Sequence, residues 1–265
     1  PAVRVLPGVN VTLRGVSVRN GFTSGMGGGI LNEGTLTLDH CLVADNAAGD
    51  GGGIANLGNL TVWQSVISNN TAVASGGGFY NASGATASVT NTTVIDNFAD
   101  TGGGVANLGT NLMASSLLAS NLAYGPTGLG GGLRATAGLV QLINCTVSGN
   151  EAFSFTGTGG TGRGGGLQSS GGRVELYFTT VAANTALIRG GGFAATSAAD
   201  VHAQNSIFAD NLAAFAPDYS GQFNSEGYNL IQAAAGVTML GNTAGNLINL
   251  NARLEALRDN GGPTL

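Results

Sequence analysis

The sequence predicts an all-β chain, folded as a right-handed parallel β-helix. The expected form is a three-sided solenoid of about eight coils with a non-repeat C-terminal cap. Three observations predict it. A glycine triplet recurs seven times, starting at Gly27, Gly51, Gly76, Gly102, Gly130, Gly164 and Gly190. An asparagine follows each triplet start by 19 to 21 positions: Asn46, Asn70, Asn97, Asn121, Asn150, Asn184 and Asn211. Between them, stretches such as TLTLDH (35–40) and NLTVWQ (59–64) alternate with period two, the mark of strands with one buried face.

The elements follow in order within each unit. Just after the triplet stands an apolar residue: Ile30, Ile54, Phe79, Val105, Leu133, Leu167 or Phe193. Eight places before the closing asparagine is a second apolar column, Leu38, Val62, Val89, Met113, Leu142, Leu176 and Ala203. Three places before it is a third, from Val43 and Ile67 to Val181 and Phe208. No unit carries a helical pattern, so each reads as two or three short strands. One unit cannot bury its own apolar face, whereas stacked units can. Equivalent residues then lie about 4.8 Å apart and form ladders. Crossovers between parallel strands are right-handed. The unit of 24 to 34 residues is shorter than the blade of about 40 that a β-propeller, the runner-up, requires. Residues 1–217 are assigned to the repeats. Residues 218–265 are assigned to an irregular last coil and cap, with a short helix over ARLEALRDNGG (252–262) that places Leu254 and Leu257 on one face.

The glycines read as scaffold. Their position is fixed relative to the strands, and the variable loop always precedes them. A sharp corner with positive φ, or one with no room for Cβ, explains the triplet. Gly52 is the position at which a side chain should disrupt stacking. Asn32, Asn56, Asn81 and Asn107 follow the first four triplets and are expected to form one amide ladder. Ala135, Ser169 and Ala195 replace them later, so that ladder stops. Asn46, Asn70 and Asn97 are expected to be structural in the same way.

Composition narrows the function classes. The chain carries 9 basic and 14 acidic residues, for a net charge of −5. Every basic residue is arginine. No basic stripe of the kind nucleic acid requires is visible, and no apolar run reaches the length of a membrane-spanning helix. Collagen is excluded because glycine does not recur every third residue. The chain opens at Pro1 directly in strand sequence, without an initiating methionine, and so reads as part of a longer or processed polypeptide.

The motifs GGILN (28–32), GGIAN (52–56), GGFYN (77–81) and GGVAN (103–107) resemble one half of the chlamydial polymorphic outer-membrane protein repeat. FADN (208–211) resembles its FxxN half. GYNLI (227–231) and LRDNGGPT (257–264) resemble secreted bacterial β-helix proteins of the pectin-lyase-like superfamily. The resemblance covers nearly the whole chain. It implies a secreted, cell-surface location and a scaffold role for the repeats, with a C-terminal anchoring region in some relatives.

Candidate sites were weighed against structural roles. The insertions LAYGPTGL (122–129) and EAFSFTGTGGTGR (151–163) leave adjacent units at one corner. Tyr124, Phe153, Phe155 and Arg163 are therefore expected to lie together and suit a sugar or protein partner, with Arg134 and Arg189 nearby. Glu175, with Arg173 and Tyr177 on one face of RVELYF (173–178), is the one strand constellation worth testing for hydrolase or lyase chemistry. Asp45 with Asp50, and Asp96 with Asp100, flank short turns able to hold Ca²⁺, but the nine-residue calcium repeat is absent and no metal or cofactor is expected. Cys41 and Cys145 share a column four units apart, too far for a disulfide. His40 and His202 lack zinc-ligand spacing. GTGGTG (157–162) lacks the following helix that a dinucleotide fingerprint requires.

The expected function is a non-catalytic extracellular or cell-surface module, structural or adhesive, with end-to-end self-association into a fibre and a surface glycan or protein as partners. The alternatives are a polysaccharide-binding module and a polysaccharide lyase or hydrolase.

Overall fold

The computed structural model describes residues 1–155 and 161–258. The chain winds through about nine right-handed turns of a parallel β-solenoid. A complete turn has four strand segments. In one turn these are Ile54–Asn56, Asn59–Trp63, Val66–Ser68 and Thr71–Ser75. Each pairs in parallel with its counterparts above and below. Ile54 lies between Ile30 and Phe79, Val62 between Leu38 and Val89, and Ile67 between Val43 and Val94. The stacked segments form four rows in three sheets, because Tyr219–Glu226 runs through the corner between the first and second rows and joins them. No helix occurs among the described residues.

The rows bury columns of like side chains, two each in the first and second rows. The first-row column from Ile30 to Phe193 continues into Tyr219 and is closed to solvent throughout. Near the C-terminal end the core becomes aromatic. Tyr219 stacks on Phe193 at 5.0 Å and meets the edge of Phe208 at 5.6 Å. Its hydroxyl donates to the Gln222 carbonyl (3.1 Å), and burial pushes the phenol well above its usual pKa.

Two corners use left-handed residues. His40, Gln64, Asn91 and Asn205 occupy one, with φ between 45° and 52°. Asp45, Asn69, Asp96 and Asp210 occupy the other, with φ between 54° and 57°. Asn, Asp and His tolerate this region best, so the aspartates before the asparagine column are accounted for by backbone geometry. Phe178, at φ 53°, and Tyr228, at φ 58°, are the bulky exceptions, and both project into solvent.

The asparagine that follows turns inward and builds a chain of amides. Asn46 donates from Nδ2 to Asn70 Oδ1 (2.9 Å), and the same bond repeats through Asn97, Asn121, Asn150, Asn184 and Asn211. Asn211 donates to Asp218 Oδ1 (2.9 Å), which ends the chain on a buried carboxylate. A second chain runs from Asn32 through Asn56 and Asn81 to Asn107 at 2.7 to 2.9 Å. Asn107 then turns its amide onto the Gly109 carbonyl (2.9 Å). Between the second and third rows, Ser65, Thr92, Ser116 and their equivalents hydrogen-bond across turns, and the two cysteines fill the same column. Both thiols are free and buried. Burial pushes Cys145 up to about 11, which leaves it an unreactive thiol at neutral pH.

Asp218 carries a pH dependence. Burial raises its pKa, opposed by N–H donors from Asn211 and Ala233. A raised folded pKa gives stability that is fully present below the ordinary carboxyl value and lost as pH rises through the folded one. The melting-temperature advantage of wild type over Asp218→Asn is therefore expected to shrink as pH rises from about 4 to 7. An advantage that grows over that range would show the N–H donors outweighing burial.

One buried amide joins no chain. Asn111 takes an inward position between Ala87 and Val140, fully closed to solvent, and neither Nδ2 nor Oδ1 has a partner. Asn111→Leu, similar in size and without the polar atoms, is expected to stabilise the fold by about 1–3 kcal/mol. Urea unfolding checks this, and a lower midpoint would refute it.

The C-terminal segment keeps the winding without a glycine triplet. Residues 219–248 continue the winding, with Tyr219–Glu226 and Val237–Asn242 pairing in register, because Pro217 and Asp218 accept the hydrogen bonds that triplet glycines accept elsewhere. The short helix expected over 252–262 is absent from its described part, 252–258. Arg253 adopts a φ of 53°, which an α-helix does not accommodate. Residues 259–262 of that expectation lie outside the described residues.

Candidate functional site

The first-row strands are three residues long, so their middle residue points outward. That column reads Leu31, Ala55, Tyr80, Ala106, Arg134, Gln168, Ala194 and Ser220. Small residues dominate it, and Gln168 is only 4% exposed although it points away from the core. The reason is a ridge on one side. Leu129, Arg163, Arg189 and Phe215 precede the glycine corner and bridge in a parallel ladder. Thr136, Ser170 and Thr196 stand at the opposite corner. The column between them is the floor of a trench along the solenoid axis. It opens into a groove of about 790 Å³ beside Gln168 and Ala194, with a smaller pocket of about 230 Å³ between Tyr80 and Arg134.

The trench is electrostatically distinct. Arg4, Arg14, Arg19, Arg173 and Arg258 pair with carboxylates. Among the described residues Arg134, Arg163, Arg189 and Arg253 have no such partner, and the first three line the trench. Arg134 donates from Nη1 to Thr101 Oγ1 (3.0 Å), while its buried Nε has no acceptor. Burial lowers its pKa, opposed by the charge of Asp100. Gln168 Oε1 is buried without a donor. Arg189 lies over the Phe215 ring at 5.7 Å. No acidic residue lines the larger groove.

The loop residues separate into two groups. Tyr124 and Phe153 are strand neighbours, and Tyr124 meets Phe155 at 5.4 Å. Arg163 belongs instead to the ridge, where it lines the groove that these aromatics do not. The first loop is anchored by Asp100, whose Oδ1 accepts from Thr127 N (3.1 Å), Thr127 Oγ1 (3.2 Å) and Gly128 N (3.3 Å). Most of GTGGTG (157–162), residues 157–160, lies outside the described residues. Gln168 and Phe215 were missed in the sequence. Their signal was present: a long polar side chain in a column of alanines, and an aromatic one turn after Arg189.

Glu175 lies in a larger network on the outer face of the second row. Arg173 reaches Glu175 and also Asp200 (2.9 Å), Gln141 donates to Glu175 (2.7 Å), and His202 lies between Asp200 (2.9 Å) and Glu226 (3.0 Å). The carboxylates come from adjacent strands, a grouping that the single-strand reading overlooked. Burial raises the Glu175 pKa, but hydrogen bonds from Arg173 and Gln141 and the nearby charges outweigh it and hold the carboxyl below its usual range. A general acid requires the opposite shift. Among the described residues no group of three or more His, Cys, Asp or Glu is placed to hold a metal ion. No described helix is long and apolar enough to cross a membrane.

Fold and groove together define a parallel β-solenoid with an arginine-lined trench along one row of turns. Comparison with protein-family models, curated proteins and solved structures found no match to this chain.

Proposed function

We propose that this chain is a non-catalytic extracellular or cell-surface module, a rigid adhesive β-helix that holds a ligand along its first row. The observation that carries the reading is where polar atoms remain unpaired. Among the described residues the buried side-chain polar atoms without a partner belong to three residues, Asn111, Arg134 and Gln168, and the last two are on the trench floor. Buried polar groups without partners are costly, so a ligand that supplies a donor and an acceptor there is favoured. The resemblance of the repeats to chlamydial polymorphic outer-membrane proteins and to the pectin-lyase-like superfamily supports a surface location. A glycan array tests the reading. Binding without turnover, weakened by Gln168→Ala, is the expected result. Turnover of any bound glycan, or no binding at all, would overturn it.

A second reading, a polysaccharide hydrolase or lyase, is favoured only by the Arg173–Glu175–Asp200–His202–Glu226 network. It requires activity that Glu175→Gln abolishes. End-to-end self-association remains part of the proposal: among the described residues Val237–Asn242 pairs on one side only, and such edges template pairing. Filaments in electron micrographs of the purified chain are the expected outcome, and uniformly single particles the contrary one.

A further inference from the structure

We infer that the outer face of the fourth row binds a basic polypeptide segment, with an arginine or lysine of that segment seated on Tyr124, Phe153 and Phe155 beside Glu151. This surface is separate from the trench, and it does not depend on the ligand proposed there. Exposure is the first argument. The fourth-row strands alternate inward and outward. Their inward column, from Ala48 and Ala72 to Ala152 and Ala186, is alanine throughout and buried. The outward positions carry larger apolar side chains, among them Val73, Phe98, Leu122 and Tyr124. Val73 is 80% exposed. Phe22 and Leu212, which bridge to the two ends of the row, are 78% and 65% exposed. A contiguous apolar face of this kind marks an interaction surface.

Charge is the second argument and names the partner. Asp96 and Asp210 stand at the left-handed corner that leads into the fourth row, and Glu151 stands within the row beside Leu122. Asp210 accepts from the Gln232 amide (2.8 Å). Among the described residues none of these three carboxylates pairs with a cation. Arg163 and Arg189 lie past the far end of the row and line the trench groove. An apolar face with uncompensated carboxylates is matched by a partner that brings apolar and cationic groups together. A second copy laid side by side would bring the same carboxylates against these, on a chain of net charge −5.

The aromatic residues supply a seat for the cation. Tyr124 pairs in register with Phe153, and its ring meets that of Phe155 at 5.4 Å with a tilt of 52°. Ala152 is buried, so Glu151 and Phe153 share the outward face, about 6.6 Å apart along the strand. A guanidinium or ammonium group over these rings is attracted by their faces and by the carboxylate together. From Thr71 to Leu212 the row takes five steps between turns. At about 4.8 Å each they span about 24 Å, the reach of about seven extended residues.

A short labelled peptide of repeated Arg-Leu-Ser is the probe, titrated with the purified chain and followed by fluorescence anisotropy. Binding that weakens with added salt is expected. A counterpart with Glu for Arg isolates the charge, and one with Ser for Leu isolates the apolar contact. Each is expected to bind at least about tenfold more weakly. Tyr124→Ala and Glu151→Gln alter exposed side chains, so their fold should survive, as circular dichroism would verify. Each is expected to weaken binding about threefold or more, and the double variant about tenfold. Gln168→Ala, in the trench, should leave peptide binding unchanged, so the two surfaces stand or fall separately. Absence of binding, or equal binding of either counterpart, would overturn the inference. Unchanged binding in the double variant would remove the aromatic seat as the site. A dimer in analytical ultracentrifugation that Val73→Ser and Leu212→Ser dissolve would reassign the face to a second copy.

Discussion

Gly52→Val is expected to disrupt the stack of turns, with a loss of about 4 kcal/mol or more. A Cβ on Gly52 would lie 2.4 Å from the Thr71 carbonyl oxygen and 2.6 Å from that of Gly77. Both obstacles are backbone, so no side chain can rotate aside. The triplet combines two constraints. Gly51 needs glycine for its φ of +62°, whereas Gly52 and Gly53 need it because the backbone carbonyls of Thr71, Gly77 and Gly78 occupy the space. Gly84→Ala is the control. Its φ is +79°, but nothing lies within 4 Å, so it carries only the left-handed penalty of about 1–2 kcal/mol. Thermal melts and limited proteolysis of the two variants should therefore separate widely. If Gly52→Val melted with wild type, close packing of the corner would not explain the triplets.

Asn97→Ala is the second large effect, about 4 kcal/mol of destabilisation. The Asn97 side chain accepts from Asn70 N and Nδ2, each at 3.0 Å, and donates to Asn121 Oδ1 and the Ile67 carbonyl, each at 3.0 Å. Alanine leaves the Asn70 backbone N–H and Nδ2 without their shared acceptor and removes the donor to the Ile67 carbonyl, all at buried positions, while Asn121 Oδ1 keeps only the Asn97 backbone N–H. Each such group costs about 1–3 kcal/mol, partly relieved by relaxation. Asn97→Asp keeps the acceptors and loses the donors while burying a charge, so it should be no better at neutral pH. Chemical denaturation of both variants checks the prediction, and a loss below about 1 kcal/mol in Asn97→Ala would show that the amide chain is dispensable.

Much of this architecture was legible because a solenoid converts sequence spacing directly into spatial contact. Once the asparagine column is aligned, Asn46 must stack on Asn70 and Val62 on Val89, and the fold class follows without further information. The same alignment contains the pairing of Arg173 with Asp200 and of Glu175 with His202, visible only when RVELY and DVHAQ are laid in register. Reading one strand at a time hid it. The turns after Pro217 were illegible for a different reason. Pro217 and Asp218 do the work of a triplet with unlike residues, and a search for repeats follows residue identity while the ladder requires only carbonyls in the right place.

By itself, the sequence determined the columns: which residues face inward, which corners need glycine or asparagine, and that like stacks on like. These are local consequences of period-two strands repeated at a nearly constant interval. The trench was decided by tertiary structure. Its floor is set by strand direction, its walls by corners of unequal height, and its charge by which arginines are left without a carboxylate. Arg134 and Arg163 are 29 positions apart in the chain, and only the winding brings both onto the same trench. Whether Gln168 is exposed or buried depends on a ridge contributed by neighbouring turns, and hydrophobic burial of the columns inside fixes that ridge in place.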